Sequence, residues 1–341
     1  MSAIRILAAG DGFVLNSLIG EALRHEIEGP LELAELELPW PRVPFGRVAE
    51  VDEASDAEDA LIEALGAAGS EVCVTQMAPF TERVLAAAPA LRMIAVCRGG
   101  PVNVNAQAAR ARGVRVCFAP GRTTAATAEF TVGLLLAALR GIPQAHNSLA
   151  VEGRWNGGQY TYDTVGPELE DAPVGLIGYG AVGSRVARVL TAFGAEVEVY
   201  DPYVRGDVHG MRTASLDALL SRSRILTLHA RLTPETLGMI GARELALLPR
   251  GAVLVNAARG GLVDTEALCD ALDGGHLAAA ALDTYEQEPL SAGSRLFRTP
   301  GLILTPHLAG ASRGVAHKAA RIAAAEAGRW FRGEPLLHCL N

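Results

Sequence analysis

The run Val174-Gly175-Leu176-Ile177-Gly178-Tyr179-Gly180-Ala181-Val182-Gly183 constrains this chain more than any other feature. It sets a short apolar strand directly before three glycines and a helical pattern through Val186, Val189 and Leu190. The three glycines answer different steric demands. Gly178 makes a tight turn, Gly180 lets a bulky anion approach the backbone, and Gly183 lets helix and strand pack closely. The helix then aims its free N–H groups and the positive end of its dipole at the turn, which suits a pyrophosphate. Glycine spacing alone is weak, but here the next strand, Glu196 to Tyr200, ends at Asp201, 18 residues past Gly183. A carboxylate there accepts hydrogen bonds from free ribose hydroxyls and repels a 2′-phosphate. The segment therefore reads as a cofactor site for NAD rather than NADP, with Tyr179, Ala181 and Val182 completing the turn.

A glycine turn of this kind needs a parallel sheet around it, and the rest of the chain has the rhythm of one. In the first third, Ile4 to Ala9, Leu31 to Leu38, Val72 to Thr75, Leu91 to Val96 and Val114 to Phe118 read as strands. Asn16 to Ile27, Ala57 to Ala67, Thr81 to Ala87 and Asn105 to Arg112 carry apolar residues at helical spacing between them. A long helix starts after Gly121, with Thr123, Thr124 or Thr127 as its cap, and runs toward Leu139 as a bridge between domains; a loop-rich stretch follows from Gly153 to Glu170. The alternation resumes with six strand candidates: Val174 to Ile177, Glu196 to Tyr200, Ile225 to Leu228, Ala252 to Asn256, Ala278 to Leu282 and Leu302 to Leu304. From Ala309 an Ala-rich helical pattern returns that can pack on the first domain. The fold expected is α/β, with two doubly wound parallel-sheet domains and a cleft between them. A length of 341 residues agrees, at roughly 150 residues per domain.

Bulk properties narrow the function classes. Hydrophobic residues at 50% and charged ones at 20% are ordinary for a folded protein. A net charge of -8 argues against a broad nucleic-acid surface, because phosphate binding needs clustered Lys and Arg. The longest apolar helical stretch, Val132 to Leu139, falls far short of the roughly 20 residues that span a bilayer. The opening Met1-Ser2-Ala3-Ile4-Arg5 lacks an extended hydrophobic region, so a cytoplasmic protein without membrane partners is expected. Cys73, Cys97, Cys117, Cys269 and Cys339 show no ligand-like spacing and read as reduced core residues, with no metal site. His25, His146, His209, His276, His317 and His338 lie in helical or loop patterns without partners; His229, at a strand end, reads as structural.

Three further strings each follow a strand: Asn256-Ala257-Ala258-Arg259-Gly260-Gly261-Leu262-Val263-Asp264, Asp283-Thr284-Tyr285-Glu286-Gln287-Glu288-Pro289, and Thr305-Pro306-His307-Leu308-Ala309-Gly310. Carboxyl ends of parallel strands line the crevice of an open sheet, so Arg259, Glu288 and His307 are placed to converge there. Reduction of a 2-keto acid needs a cation for the carboxylate and carbonyl, a proton donor at the carbonyl oxygen, and a partner for that donor. Arginine offers planar two-pronged recognition. Histidine titrates near neutrality, and a neighbouring carboxylate favours its charged form.

With these strings in their order and rough spacing, the sequence resembles the D-isomer-specific 2-hydroxyacid dehydrogenase family, which includes phosphoglycerate, glycerate and D-lactate dehydrogenases. The resemblance runs over nearly the whole chain. It implies that Arg259 binds substrate, that Glu288 orients His307, and that His307 is the acid/base. It also implies Asp283 facing the nicotinamide carboxamide, Ala258 as a further cofactor-binding residue, and a loop from Cys97 to Asn103, including Arg98, Gly99 and Gly100, that binds the substrate carboxylate through backbone N–H groups. The family fold pairs a flavodoxin-like substrate domain, here 1–120 completed by 310–341, with a Rossmann NAD-binding domain, here 121–309. Family members are usually homodimers through the cofactor domain, and the same is expected here.

Departures from the family bear on the substrate. Phosphoglycerate dehydrogenases resembling this chain place arginine just after the strand that here ends at Thr75, where this sequence has Thr75, Gln76, Met77 and Ala78. It carries Thr123 where such enzymes often have asparagine, its Gly99-Gly100 loop looks a little shorter, and their appended regulatory domain is expected to be missing. A small unphosphorylated D-2-hydroxy acid is therefore the expected substrate. The alternative is 3-phosphoglycerate or a related phosphorylated acid, with Arg98, Arg122 or Arg154 as the anion ligand. Formate is disfavoured, because formate dehydrogenases of the superfamily use glutamine where this chain has Glu288. A non-enzymatic NAD-sensing scaffold is the remaining alternative, and it has no need of a proton donor.

Overall fold

The computed structural model describes residues 4–40 and 46–341; residues 1–3, where the N-terminal reading begins, lie outside the described part. The chain divides into two compact units, one of residues 1–123 and 311–341 and one of 124–310.

The first unit runs β1 (Ile4–Gly10), α1 (Asn16–Glu26), β2 (Leu31–Glu37), α2 (Glu58–Ala68), β3 (Val72–Thr75), α3 (Glu82–Ala87), β4 (Met93–Val96), α4 (Ala106–Ala111) and β5 (Arg115–Phe118). Its five strands are all parallel, in the order β2-β1-β3-β4-β5, a flavodoxin-like sheet. The inner strands β3 and β4 read as continuous apolar runs because both faces are covered, while the edge strand β2 alternates apolar residues with glutamate. Ile6, Ala8, Val72, Val74, Met93 and Ala95 point to one side and pack with Ile19 and Leu23 of α1. Leu7, Ala9, Cys73, Ile94 and Val96 point to the other, against Leu61 and Leu65 of α2 and Val84 and Leu85 of α3. Helix starts follow capping chemistry: Thr81 accepts from the Val84 N–H and Asn105 from the Ala108 N–H.

The second unit contains α5 (Thr124–Leu139), α6 (Ile142–His146), β6 (Pro173–Ile177), α7 (Ala181–Ala192), β7 (Glu196–Tyr200), β8 (Met211–Thr213), α8 (Leu216–Arg222), β9 (Ile225–Leu228), α9 (Ala242–Leu247), β10 (Ala252–Asn256), α10 (Thr265–Asp273), β11 (Leu277–Leu282) and β12 (Leu302–Leu304). The strands form one parallel sheet in the order β12-β11-β10-β9-β6-β7-β8. Alternation again serves two faces. Val174, Leu176, Val197, Val199, Val253 and Val255 meet α5 and α7, while Ile177, Leu226, Leu228, Leu254 and Leu282 meet α8, α9 and α10. The order reverses between β6 and β9, so the sheet has a switch point at the carboxyl end of β6, beside the glycine turn.

α11 (Arg313–Phe331) returns to the first unit. Ala316, Ala319, Ala320, Ala323, Ala324 and Ala327 form a nearly all-alanine stripe that lies in the same core as Ile19, Ala22 and Leu23 of α1. Small side chains allow the close approach: a Cβ at Gly328 would stand 3.1 Å from the Glu26 carbonyl oxygen.

Two expectations need correction. The second sheet has seven strands, not six. The strand missed is β8, three residues at the sheet edge with two exposed side chains, so no apolar pattern announces it. The long helix read as a bridge instead packs along the second unit's sheet, with Ala128, Val132, Leu135 and Ala138 in its core. Among the described residues no single helix is long and apolar enough to cross a membrane.

Candidate active site

The glycine turn after β6 has the shape of an anion cradle. Gly178 sits at φ +91°, and a Cβ there would come within 2.5 Å of the Ala230 backbone nitrogen. A Cβ on Gly183 would stand 2.0 Å from the Gly178 carbonyl oxygen, so helix and turn touch backbone to backbone. A Cβ on Gly180, by contrast, would meet nothing within 4 Å, which leaves open space at the start of α7. The Asp201 carboxylate closes the turn, accepting from the Tyr179 N–H at 2.7 Å and the Tyr203 N–H at 2.8 Å. A carboxylate has about four acceptor positions, so two remain for ribose hydroxyls. The Tyr179 hydroxyl accepts from the His209 N–H at 2.8 Å, and Ala181 and Val182 begin α7. These residues fit the adenosine and pyrophosphate parts of NAD. His229 lies behind the turn, its Nε2 3.0 Å from the Thr227 hydroxyl, and burial holds its pKa far below the ordinary histidine range.

At the ends of β11 and β12, His307 Nδ1 lies 2.7 Å from Glu288 Oε2. Glu288 Oε1 accepts from the Tyr285 N–H at 2.9 Å, so the carboxylate is fixed at both oxygens. The hydrogen bond to Glu288 raises the His307 pKa above its ordinary value, against the opposing effect of burial; the Glu288 and Asp283 charges add to the rise and Arg259 subtracts from it. Burial pushes Glu288 upward, but the His307 hydrogen bond, the Tyr285 N–H and the charges of His307 and Arg259 together hold it below the usual carboxylate range. With Nδ1–H donating to Glu288, Nε2 is the ring nitrogen that Glu288 does not engage.

His307 occupies the left-handed region at φ +55°, where a side-chain-bearing residue stays only if its surroundings hold it. Asp283 supplies that hold. It is fully buried, and its carboxylate accepts from the Thr305 hydroxyl at 2.6 Å, the Leu308 N–H at 2.8 Å and the Ala309 N–H at 2.8 Å. Hydrogen bonds to a charged group contribute about 1.5–3 kcal/mol each. In this structure Asp283 fastens the loop that presents His307, a use that its position after β11 does not reveal in the sequence.

Arg259 leaves the end of β10 on a turn organised by buried Asn256, whose side-chain amide donates to the Arg259 carbonyl at 2.8 Å and whose Oδ1 accepts from the Ala258 N–H at 3.0 Å. The guanidinium is exposed, with one nitrogen donating to the Ala258 carbonyl at 2.7 Å. Gly260 then lets two loops touch: a Cβ there would stand 1.9 Å from the Tyr285 carbonyl carbon. The loop of Arg259 is thereby fastened to the loop of Glu288. Asn256 and Gly260 stand in the quoted strings without an assigned role; a lone amide ending an apolar strand was the available signal.

Arg98, Gly99 and Gly100 lie in the other unit, after β4. Arg98 donates to the Glu53 carbonyl at 3.0 Å and pairs with the Glu53 carboxylate, so its charge is engaged locally. A Cβ on Gly99 or Gly100 would meet nothing within 4 Å. Thr75, Gln76 and Met77 are buried, and the Thr75 hydroxyl donates to the Ala9 carbonyl. Among the described residues no three His, Cys, Asp or Glu side chains group as metal ligands.

Residues 132–309, just over half the chain, match a family model described as D-isomer specific 2-hydroxyacid dehydrogenase, NAD binding domain. A D-3-phosphoglycerate dehydrogenase of Mycobacterium tuberculosis is 44% identical over 249 residues, 72% of this chain and 46% of that protein. A glyoxylate reductase of Thermofilum pendens is 38% identical over 255 residues, 74% of this chain and 75% of that protein. The TT0316 protein of Thermus thermophilus, known from its crystal structure, is 29% identical with a TM-score of 0.79, over 99% of this chain and 100% of that one. The chain spans about half the length of the curated phosphoglycerate dehydrogenases it matches.

Proposed function

Because the chain belongs to the D-isomer specific 2-hydroxyacid dehydrogenase family, we propose that it is an NAD-dependent oxidoreductase that interconverts a small D-2-hydroxy acid and its 2-keto acid at C2. The observation that carries this reading is the His307–Glu288 pair at 2.7 Å. NAD, when bound, supplies or accepts the hydride. Residues Gly178 to Gly183 and Asp201 hold it. Arg259 binds the substrate carboxylate and carbonyl with the prong left free by Ala258. His307 Nε2 gives its proton to the carbonyl oxygen in reduction and takes it from the hydroxyl in oxidation, and Glu288 stabilises the charged imidazole in the state that donates.

Asp201 sets the cofactor. Asp201→Asn removes the charge and keeps one of the two oxygens that accept from the Tyr179 and Tyr203 N–H groups, so the preference for NAD over NADP should shrink by about ten- to a hundredfold in kcat/KM, the equivalent of one charge-assisted hydrogen bond. Equal use of both cofactors by the unaltered protein would refute the assignment.

The substrate is small and unphosphorylated. Support comes from Thr75, Gln76 and Met77, which are buried where phosphate-binding relatives carry arginine, and from the engagement of Arg98 with Glu53 and Arg154 with Glu152. One observation favours a phosphorylated acid instead: Arg122 Nε and Nη1 are buried without a hydrogen-bond partner. Buried N–H groups without acceptors are costly, and a phosphate would supply them, although the buried Asp11 carboxylate already interacts with the Arg122 charge. The ratio of kcat/KM for hydroxypyruvate and its 3-phosphate ester, at fixed NADH, separates the two. A higher value for hydroxypyruvate is expected; a strong preference for the ester would transfer the reading to Arg122.

The protein works as a homodimer on a small-molecule partner. Exposed Leu149, Val151, Trp155, Tyr160 and Tyr162 in the cofactor unit support self-association, since large apolar side chains grouped on one segment mark contact surfaces. The net charge of -8 supports small molecules over nucleic acid.

A further inference from the structure

Residues 338–341 pair with the free edge of the first unit's sheet. β5 ends that sheet, and Phe118 N–H donates to the His338 carbonyl at 3.0 Å while Leu340 N–H donates to the Val116 carbonyl at 2.8 Å. The Asn341 side chain continues the pairing, accepting from the Val116 N–H and donating to the Val114 carbonyl, each at 2.8 Å. These bonds flank one opposed pair, Cys117 and Cys339, in an antiparallel bridge. Because the hydrogen bonds belong to the neighbours, Cys117 and Cys339 form a pair that is not itself hydrogen-bonded through the backbone. Such pairs bring α-carbons to about 4.5 Å with both side chains on one face. Disulfides span α-carbon separations of about 4.4–6.8 Å. The two thiols are in contact, and both pack in the core that includes α1 and α11.

The geometry points to a redox modification site in which Cys117 and Cys339 close a reversible intrachain disulfide that ties the segment after α11 to β5. Among the described residues no other cysteines are so placed. Cys73 and Cys97 are buried in cores on opposite faces of the sheet, and Cys269 is buried in the second unit. Cys339 is the thiol an oxidant reaches, being only partly buried, with its Sγ–H directed to the Asn341 carbonyl at 2.9 Å. Cys117 is fully buried, and burial holds its thiol well above the ordinary cysteine range, so it serves as the resolving partner.

With an oxidised small thiol RSSR, the deprotonated Cys339 attacks one sulfur and releases RS⁻, leaving a mixed disulfide. Cys117 then loses its proton and attacks Cys339 Sγ, expelling the second RS⁻. Two protein thiols are oxidised by two electrons, and RSSR is reduced to two RSH. The bond joins positions 222 residues apart, so it removes much freedom from the unfolded chain. It also tethers β5 just before Ala119, whose N–H bonds the Arg98 carbonyl at 2.6 Å.

The test treats the full chain with oxidised glutathione. We expect an intact mass lower by two hydrogens, a non-reduced peptide map joining Cys117 to Cys339, and a Tm higher by about 5 °C or more that dithiothreitol reverses. Cys339→Ser, at a partly exposed position, should abolish all three, and so should Cys339→Ala. A persistent glutathione adduct on Cys339, a link between two chains, unreacted thiols at both positions, or the same Tm rise in the Cys339 variants would each overturn the proposal.

Discussion

His307→Ala should lower turnover in 2-keto acid reduction by about a hundredfold or more while NADH affinity stays nearly unchanged, because a positioned general acid contributes about 10²–10⁴ in rate. The side chain is half-exposed and packs into no core, so its removal leaves the fold intact. Its backbone is the complication. At φ +55° the position is strained for alanine, and a lost activity in that variant could be blamed on a shifted loop. His307→Asn answers this, since asparagine tolerates the left-handed region better than most residues and cannot donate a proton as imidazolium does. Both variants should fall together. Near-normal turnover in either, measured with saturating NADH, would remove His307 from the chemistry.

Arg259→Lys should cost about a hundredfold in kcat/KM for the keto acid, again with NADH affinity nearly unchanged. Lysine keeps the charge and loses the planar fork. One guanidinium nitrogen already donates to the Ala258 carbonyl, so the geometry of the remaining prongs is set by the backbone turn that Asn256 holds. A flexible ammonium has no such brace, and losing one or two charge-assisted hydrogen bonds at about 1.5–3 kcal/mol each accounts for the size of the effect. Arg259→Lys with unchanged kcat/KM would show that charge alone suffices and that the two-pronged contact is not made.

Much of this was legible in the sequence, for reasons that particular residues make plain. The bounds of β3, β7, β9, β10 and β12 match the segments read from the sequence residue for residue, and in β3, β9 and β10 every residue is buried, so no exposed position blurs their ends. β8 was hidden because an edge strand with exposed side chains follows no such pattern. The short α6 was also hidden, lying between Gly141 and the π-helical segment Asn147–Val151, with a proline inside its first turn. At the site, Arg259, Glu288 and His307 could be singled out because each follows a strand at the same end of a parallel sheet. What stayed hidden depends on which loops are neighbours. Gly260 against Tyr285, Asp283 beneath the His307 loop, and Cys117 opposite Cys339 are contacts between segments far apart in the chain, and no local pattern encodes them.

The central claim is that His307 delivers the proton and that Glu288 sets the pH range in which it can do so. Keto acid reduction requires the protonated imidazole, so activity falls as pH rises through the His307 pKa. The hydrogen bond and charge of Glu288 raise that pKa above its ordinary value. Glu288→Gln retains the size of the side chain and removes the charge, which lowers the His307 pKa. The measurement is the pH profile of kcat/KM for keto acid reduction in the unaltered protein and in Glu288→Gln. The account predicts that the alkaline limb moves toward acid in the variant; a limb that stays in place, or moves toward alkali, would contradict it.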